Sequence, residues 1–425
     1  MPAAPELQRV AVIGQGYVGL PVAMQAVKAG FEVVGFDLDE SRIDLLRAGS
    51  SYVEDVTDHT LAAALESGRY QPTSIVTDVK EFDFAVVSVP TPLREGDPDL
   101  RFVEDAARAL APFVRPGCTV ILESTTYPGT TEELFGPILA EGSGLRPGPD
   151  FHLGYSPERI DPGNPVWNLE NTPKVVSGVD QASLARVRWF FDQLCDTTVA
   201  VPSPREAELT KLLENTFRHV NIALVNELAM FANDLGIDIW AAIDAASTKP
   251  FGYLRFTPGP GVGGHCLPID PSYLSWQVKR SLGTSFRFVE LANDVNNHMP
   301  DYVVRRVQAG LNEQGLAVKG QRILLVGLAY KRNTGDAREA PSMAIADQLM
   351  ALGADVVAHD DHVEPDQFPV GVDRVGLTQS ELDQADAVVL LVDHDNVDLD
   401  LVTGSGSWVL DCRNALPAAP NIEQL

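Results

Sequence analysis

Two stretches of this chain combine residue types and spacings that could do chemistry. The first is Gly259-Pro260-Gly261-Val262-Gly263-Gly264-His265-Cys266-Leu267-Pro268-Ile269-Asp270-Pro271. It sets one thiol at the end of a Gly/Pro loop, with a carboxylate four residues on. A lone cysteine is ordinarily a small buried hydrophobe, but these glycines and prolines make a poor core. A helix beginning near Pro268 or Pro271 would place Cys266 by a helix amino terminus, where the dipole stabilises a thiolate. The thiol therefore reads as a covalent nucleophile, with Asp270 one turn on and facing the same cavity. The second stretch is Gly14-Gln15-Gly16-Tyr17-Val18-Gly19. Its first glycine permits a tight turn, the second lets a pyrophosphate approach the backbone, and the third lets helix and strand pack closely. Asp37 follows 21 residues after Gly16, where an acid accepts hydrogen bonds from the adenosine ribose and repels a 2′-phosphate. NAD is favoured over NADP, and Arg42 belongs on the next helix at the adenosine edge. A nucleotide cofactor and a nucleophilic thiol together point to an oxidation that passes through a sulfur adduct.

Three further groups are placed to assist. Lys211 and Asn215 share one helix face at i,i+4 in apolar surroundings, a spacing suited to holding a developing oxyanion. Ser88-Val89-Pro90-Thr91-Pro92 and Glu123-Ser124-Thr125-Thr126-Tyr127-Pro128-Gly129-Thr130 each close an apolar run, as the loops that line a cofactor crevice do.

These residues need elements to hold them. Arg9 to Ile13 reads as a strand, Leu20 to Ala29 as a helix and Phe31 to Phe36 as a second strand, a βαβ unit. The alternation continues through Phe84 to Val89 and Thr119 to Glu123. Between about Arg205 and Gly236 the pattern changes to one long helix, apolar on more than one face, which needs a dimer partner or burial between domains. Strand–helix alternation resumes at Arg322 to Val326, Ala354 to Ala358 and Ala387 to Val392. The expected class is α/β, with two Rossmann-like doubly wound domains (1–200 and 315–425) joined by a central helical domain (201–314).

The composition excludes several functions. The chain of 425 residues has 59 acidic against 32 basic residues and a net charge of −27, which repels nucleic acid. An anionic ligand would need a local basic pocket. No apolar run approaches the ~20 residues of a membrane helix, and the first residues lack the plan of a signal peptide, so a cytoplasmic location is expected. Cysteines at 118, 195, 266 and 412 have neither disulfide nor zinc spacing. His359-Asp360-Asp361-His362 reads as a solvated loop after a strand, and no metal site is expected.

Taken in order, Gly14 to Gly19, Val89 to Pro92, Ser124-Thr125, Tyr155-Ser156-Pro157-Glu158-Arg159, Lys211 to Asn215, Gly263 to Asp270, and Gly327-Leu328-Ala329-Tyr330-Lys331 through Arg338-Glu339 resemble the UDP-glucose/GDP-mannose dehydrogenase family of nucleotide-sugar 6-dehydrogenases, over nearly the whole chain. The resemblance implies an NAD-binding domain, a central domain that dimerises, and a carboxy-terminal domain that holds the nucleotide of the sugar. It also implies a four-electron oxidation of a primary alcohol to a carboxylate with two NAD. Cys266 would form a thiohemiacetal and then a thioester. Lys211, Asp270 and a water would take the hydroxyl proton, Lys211 and Asn215 would hold the oxyanion, and Glu158 with Thr125 would aid hydrolysis. The resemblance assigns NAD to Gly14, Gly16, Tyr17, Val18, Gly19, Asp37, Arg42, Pro90, Thr91, Thr125 and Arg338. It assigns the UDP-sugar to Glu158, Arg159, Lys211, Asn215, Arg255, Gly263, His265 and Lys331. Glucose-type members carry a second glutamate where this chain has Pro162, and tend to an aromatic at His265. The run from Ser156 to Asn164 is similar instead to members that oxidise UDP-N-acetylhexosamines. UDP-N-acetylglucosamine is therefore the expected substrate, with UDP-N-acetylmannosamine and then UDP-glucose as alternatives.

Overall fold

The computed structural model describes residues 8–94, 96–161, 164, 166–264 and 267–425. Cys266, His265 and Pro162 lie outside the described residues. The chain divides into two compact units, the first ending at Glu214 and the second beginning at Asn215. The division falls inside a single helix, α2 (Pro204–Asp234).

In the first unit β1 (Arg9–Ile13), β2 (Glu32–Phe36), β3 (Tyr70–Thr73), β4 (Phe84–Val87), β5 (Thr119–Leu122) and β6 (His152–Tyr155) form one sheet in the order β3-β2-β1-β4-β5-β6. All its pairings are parallel. Helix α1 (Gly19–Lys28) follows β1 directly. The apolar run Phe84-Ala85-Val86-Val87 is wholly buried, as expected for a parallel strand covered on both faces. Phe84 stacks on Phe190 with ring centroids 4.9 Å apart, which fixes the helix Gln181–Phe191 against the sheet. The chain order reverses between β1 and β4, so the crevice for a ligand opens at the carboxyl ends of those two strands.

In the second unit α3 (Asp270–Leu282), α4 (Arg287–Asn297) and α5 (Met299–Glu313) precede a second sheet. Its strands are β7 (Arg322–Val326), β8 (Asp355–His359), β9 (Asp373–Arg374), β10 (Ala387–Leu390), β11 (Trp408–Asp411) and β12 (Ile422–Gln424), in the order β9-β8-β7-β10-β11-β12. This is the first sheet's order repeated. The two strand clusters expected from the alternation of the sequence are thus two doubly wound sheets of one plan. Pro300 lies in the first turn of α5, where its missing N–H costs nothing.

Candidate active site

The turn after β1 is built for close approach. Gly14 has φ +93°, and a Cβ there would lie 2.5 Å from Ser88 O. A Cβ on Gly19 would lie 1.9 Å from Gly14 O, whereas one on Gly16 would meet nothing within 4 Å among the described residues. Gly14 and Gly19 are therefore required by the fold itself. Gly16 is not, and leaves space at the amino end of α1. Asp37, just past β2, accepts the Gln15 N–H at 2.8 Å and the Asp39 N–H at 3.0 Å, with Arg42 3.7 Å away. Ser88 Oγ donates to the carbonyls of Ile13 and Gly14, and Ser124 Oγ to Val89 O at 2.8 Å. The turns after β1, β4 and β5 are thereby stitched at one sheet edge, bringing Pro90, Thr91 and Thr125 onto the strand-end loops beside the glycine turn. An open backbone at a helix start and an acid at the second strand end fit a dinucleotide, with the pyrophosphate at Gly16 and the ribose at Asp37.

A buried charge cluster lies past β5. Lys174 pairs with Glu123 and lies 3.8 Å from Glu158 Oε2, with its ammonium 5.1 Å from the Phe191 ring centroid. Burial drives the Glu123 carboxyl up. Burial also works against the Lys174 charge, but the two carboxylates outweigh it and hold the ammonium above the ordinary lysine value. Glu158 accepts the N–H groups of Arg159 and Ile160 through Oε1, at 2.6 and 2.5 Å. Its other oxygen is buried with no hydrogen-bond partner among the described residues, a spare acceptor on a carboxylate suited to a water. Lys211, on α2, donates to Glu158 O at 2.6 Å. The Arg159 guanidinium turns to Glu214, 2.7 Å away.

Glu208 lies one turn before Lys211 and is fully buried. It accepts Gly129 N–H at 2.6 Å, Thr131 N–H at 2.8 Å and Thr131 Oγ at 2.7 Å. Burial pushes its carboxyl up to about 7, against the pull of those three donors. It ties the Ser124–Thr130 loop to the helix that carries Lys211.

In the second unit Asn215 donates through Nδ2 to Asp270 Oδ2 at 2.5 Å, and both are buried. Asp270 opens α3, so a helix does begin four residues after Cys266. Gly263 and Gly264 lie under Tyr330: a Cβ on either would come within 2.9 Å of that side chain. Arg255 pairs with Asp244 at 2.5 Å on an exposed surface. Arg338 is exposed and pairs with Asp336 at 2.6 Å, while Lys331 is half-buried.

The second sheet differs from the first at its ligand edge. Gly327 has φ +85° and donates to His359 O at 2.9 Å, as Gly14 does to Phe36 O at 2.8 Å. The acid past β8, Asp360, is not solvated as expected from its polar neighbours. Its carboxylate accepts the N–H groups of Leu328, Ala329, His362 and Val363 and lies 3.1 Å from His394 Nε2. Burial alone would raise the Asp360 carboxyl, but His394 and these N–H groups hold it well below the usual carboxylate range. Its side chain is 0% exposed, against 12% for Asp37. The next helix begins only at Pro341, so no helix end follows this turn as α1 follows the turn after β1.

Neither Lys174 nor Glu208 belongs to a motif or a spacing that marks a site in the sequence. Each left a signal: Lys174 is a cation directly before the apolar pair Val175-Val176, and Glu208 stands three residues before Lys211 on the same helix.

Sequence models of the UDP-glucose/GDP-mannose dehydrogenase family match the chain in three parts: the NAD binding domain over residues 8–195, the central domain over 205–298 and the UDP binding domain over 324–418. A UDP-N-acetyl-D-mannosamine dehydrogenase of Pyrococcus horikoshii is 33% identical over 91% of this chain and 89% of its own. A UDP-N-acetyl-D-glucosamine 6-dehydrogenase of Salmonella typhi is 34% identical over 91% of this chain and 90% of its own. The solved UDP-D-ManNAc dehydrogenase from Pyrococcus horikoshii superposes with a TM-score of 0.89 at 31% identity, covering 98% of this chain and 99% of that one. No helix among the described residues is long and apolar enough to cross a membrane. With its NAD cradle and UDP binding domain, the chain belongs to the UDP-glucose/GDP-mannose dehydrogenase family and is an NAD-dependent nucleotide-sugar dehydrogenase.

Proposed function

We propose that this enzyme oxidises a UDP-N-acetylhexosamine at carbon six to the uronate, with UDP-N-acetylglucosamine as the first substrate to test and its mannosamine epimer beside it. Relatives named for each of these sugars align over nine-tenths of the chain, and the Ser156–Asn164 run favours the acetamido sugars over glucose. The observation that carries the chemistry is the pair Lys211 and Asn215, one turn apart on α2, each buried and each holding another site residue.

Two NAD, held in turn by the Gly14–Gly19 turn and Asp37, would each supply an acceptor for one hydride from carbon six. Lys211 and Asp270 carry off the hydroxyl proton through a water. The Cys266 thiolate adds to the aldehyde carbon, and Lys211 and Asn215 hold the oxyanion of the thiohemiacetal. Loss of the second hydride leaves a thioester. Glu158, assisted by Thr125, directs water onto the thioester carbonyl, which releases the carboxylate and restores the thiol. Arg159, Arg255, Gly263, His265 and Lys331 serve the UDP-sugar, and Arg338 serves the cofactor pyrophosphate. Residues 1–200, 201–314 and 315–425 supply the cofactor, catalytic and nucleotide portions.

A panel of UDP- and GDP-sugars assayed for NADH tests the reading. Two NADH per acetamido sugar are expected, and Cys266→Ser should abolish carboxylate formation. One NADH per sugar with free aldehyde as product would overturn it. The same reading makes the protein a homodimer through α2, on which Phe217, Leu224, Leu228 and Phe231 are exposed at helical spacing. Light scattering at micromolar concentration should find twice the 45.9 kDa chain mass, and a monomer alone would refute the assembly.

A further inference from the structure

A chain of buried side chains ties the Gly/Pro segment to α2 within the second unit. The Gly259 N–H lies 3.0 Å from Asn226 Oδ1. Because that N–H can only donate, the orientation of every group behind it follows. Asn226 Nδ2 donates to Asn296 Oδ1 at 2.9 Å. Asn296 Nδ2 donates to His219 Nδ1 at 3.3 Å. His219 therefore carries its proton on Nε2 and donates it to Asn293 Oδ1 at 2.7 Å. Asn226, His219 and Asn296 are 0%, 1% and 3% exposed. A buried polar network of this kind rigidifies one arrangement when every member is satisfied.

The position of Asn226 on the helix gives the network its use. Asn215 and Asn226 are 11 residues apart on α2, which at 3.6 residues per turn brings them back to nearly the same face, ~16 Å along the axis. Asn215 holds Asp270 and Asn226 holds Gly259. Two amides on one face of a rigid helix thus grip the chain on either side of residue 266. Between those grips, Gly264 N donates to Arg338 O at 3.3 Å, and a Cβ on Gly263 would meet Glu339 O at 2.7 Å.

We propose that Asn226, Asn296 and His219 are positioning residues for the nucleophile, fixing Gly259 at a set distance from Asn215 and so the span of chain that presents Cys266. This rests on the reading of Cys266 as the nucleophile. Burial holds the His219 imidazole below its usual value, which keeps Nδ1 available as an acceptor.

The test compares the full-length enzyme with Asn226→Ala and Asn226→Asp. Alanine removes the acceptor for Gly259. Aspartate keeps it but loses the donor to Asn296 and sets a buried carboxylate oxygen against Asn296 Oδ1, so it should melt lower than alanine. If position is what matters, Asn226→Ala loses roughly 10- to 100-fold in kcat, the scale of a small misplacement of reacting groups, with KM for NAD unchanged. Asn226→Asp, which keeps only the Gly259 contact, then recovers part of that rate despite its lower stability. A rate that follows the melting temperature, or an Asn226→Ala enzyme with the parent's kcat, would overturn the proposal. Alkylation of Cys266 by iodoacetamide, read by peptide mass spectrometry, needs no turnover. Equal alkylation rates in all three proteins would overturn the positioning role even if no sugar yields NADH, an outcome that would instead sink the functional reading. In the unsubstituted protein the Gly259 amide should exchange slowly with deuterium, and rapid exchange would also overturn the proposal.

Discussion

Replacing Glu208 by glutamine separates the two forces acting on that buried carboxyl. Oε1 would remain to accept both Thr131 donors, but the new NH2 group would face the Gly129 N–H, donor against donor, at a position now 2.6 Å from it. Leaving that buried N–H unsatisfied costs about 1–3 kcal/mol. The parent has an opposing liability. Its carboxyl titrates at about 7 in the fold against 4.5 for the ordinary group. A raised acid stabilises the fold fully below the unfolded value, and that contribution is lost as pH rises through the folded value. A shift of this size corresponds to ~3 kcal/mol. Glutamine does not titrate. The variant should therefore melt below the parent at pH 5, by a few degrees for each kcal/mol, and the gap should close or reverse by pH 8. Thermal melts of both proteins across that range read the effect directly. A gap of constant size at every pH would refute the assignment of the titration to Glu208.

The glycine turn offers a paired prediction. Gly16→Ala should leave the melting temperature unchanged and raise KM for NAD by about tenfold or more, ~1.4 kcal/mol or above, because its Cβ would enter space that only the ligand needs. Gly19→Ala, with a Cβ 1.9 Å from Gly14 O, should destabilise the first unit by about 3 kcal/mol; equal effects of the two changes on stability would contradict this division of roles. Lys174→Met leaves Glu123 and Glu158 without their buried cation and should cost about 3–5 kcal/mol at neutral pH. Part of that loss should return near pH 5, where protonation removes a carboxylate charge, and denaturant titrations at the two pH values measure it.

What the sequence made legible was local. The glycines of the first turn lie within six residues of one another, and the strand before them is a plain apolar run. Lys211 and Asn215 were legible for the same reason, since helical spacing alone puts them on one face. What escaped was paired across the chain. Lys174 finds Glu123 51 residues away, and Asn226 finds Asn296 70 residues away, distances at which no periodicity marks a partner. Asp360 misled because its neighbours are charged, and composition cannot tell that a strand end turns inward and saturates its acid with backbone N–H groups.

That sealed acid has a kinetic corollary. An enzyme that handles a dinucleotide and a sugar nucleotide on two copies of one scaffold invites mix-ups, with surplus cofactor parking where the sugar carrier belongs. At the second copy the acid that should greet an adenosine diol is already fully engaged. Raising NAD far above its working concentration should therefore leave turnover flat, with no dead-end inhibition competitive against the UDP-sugar.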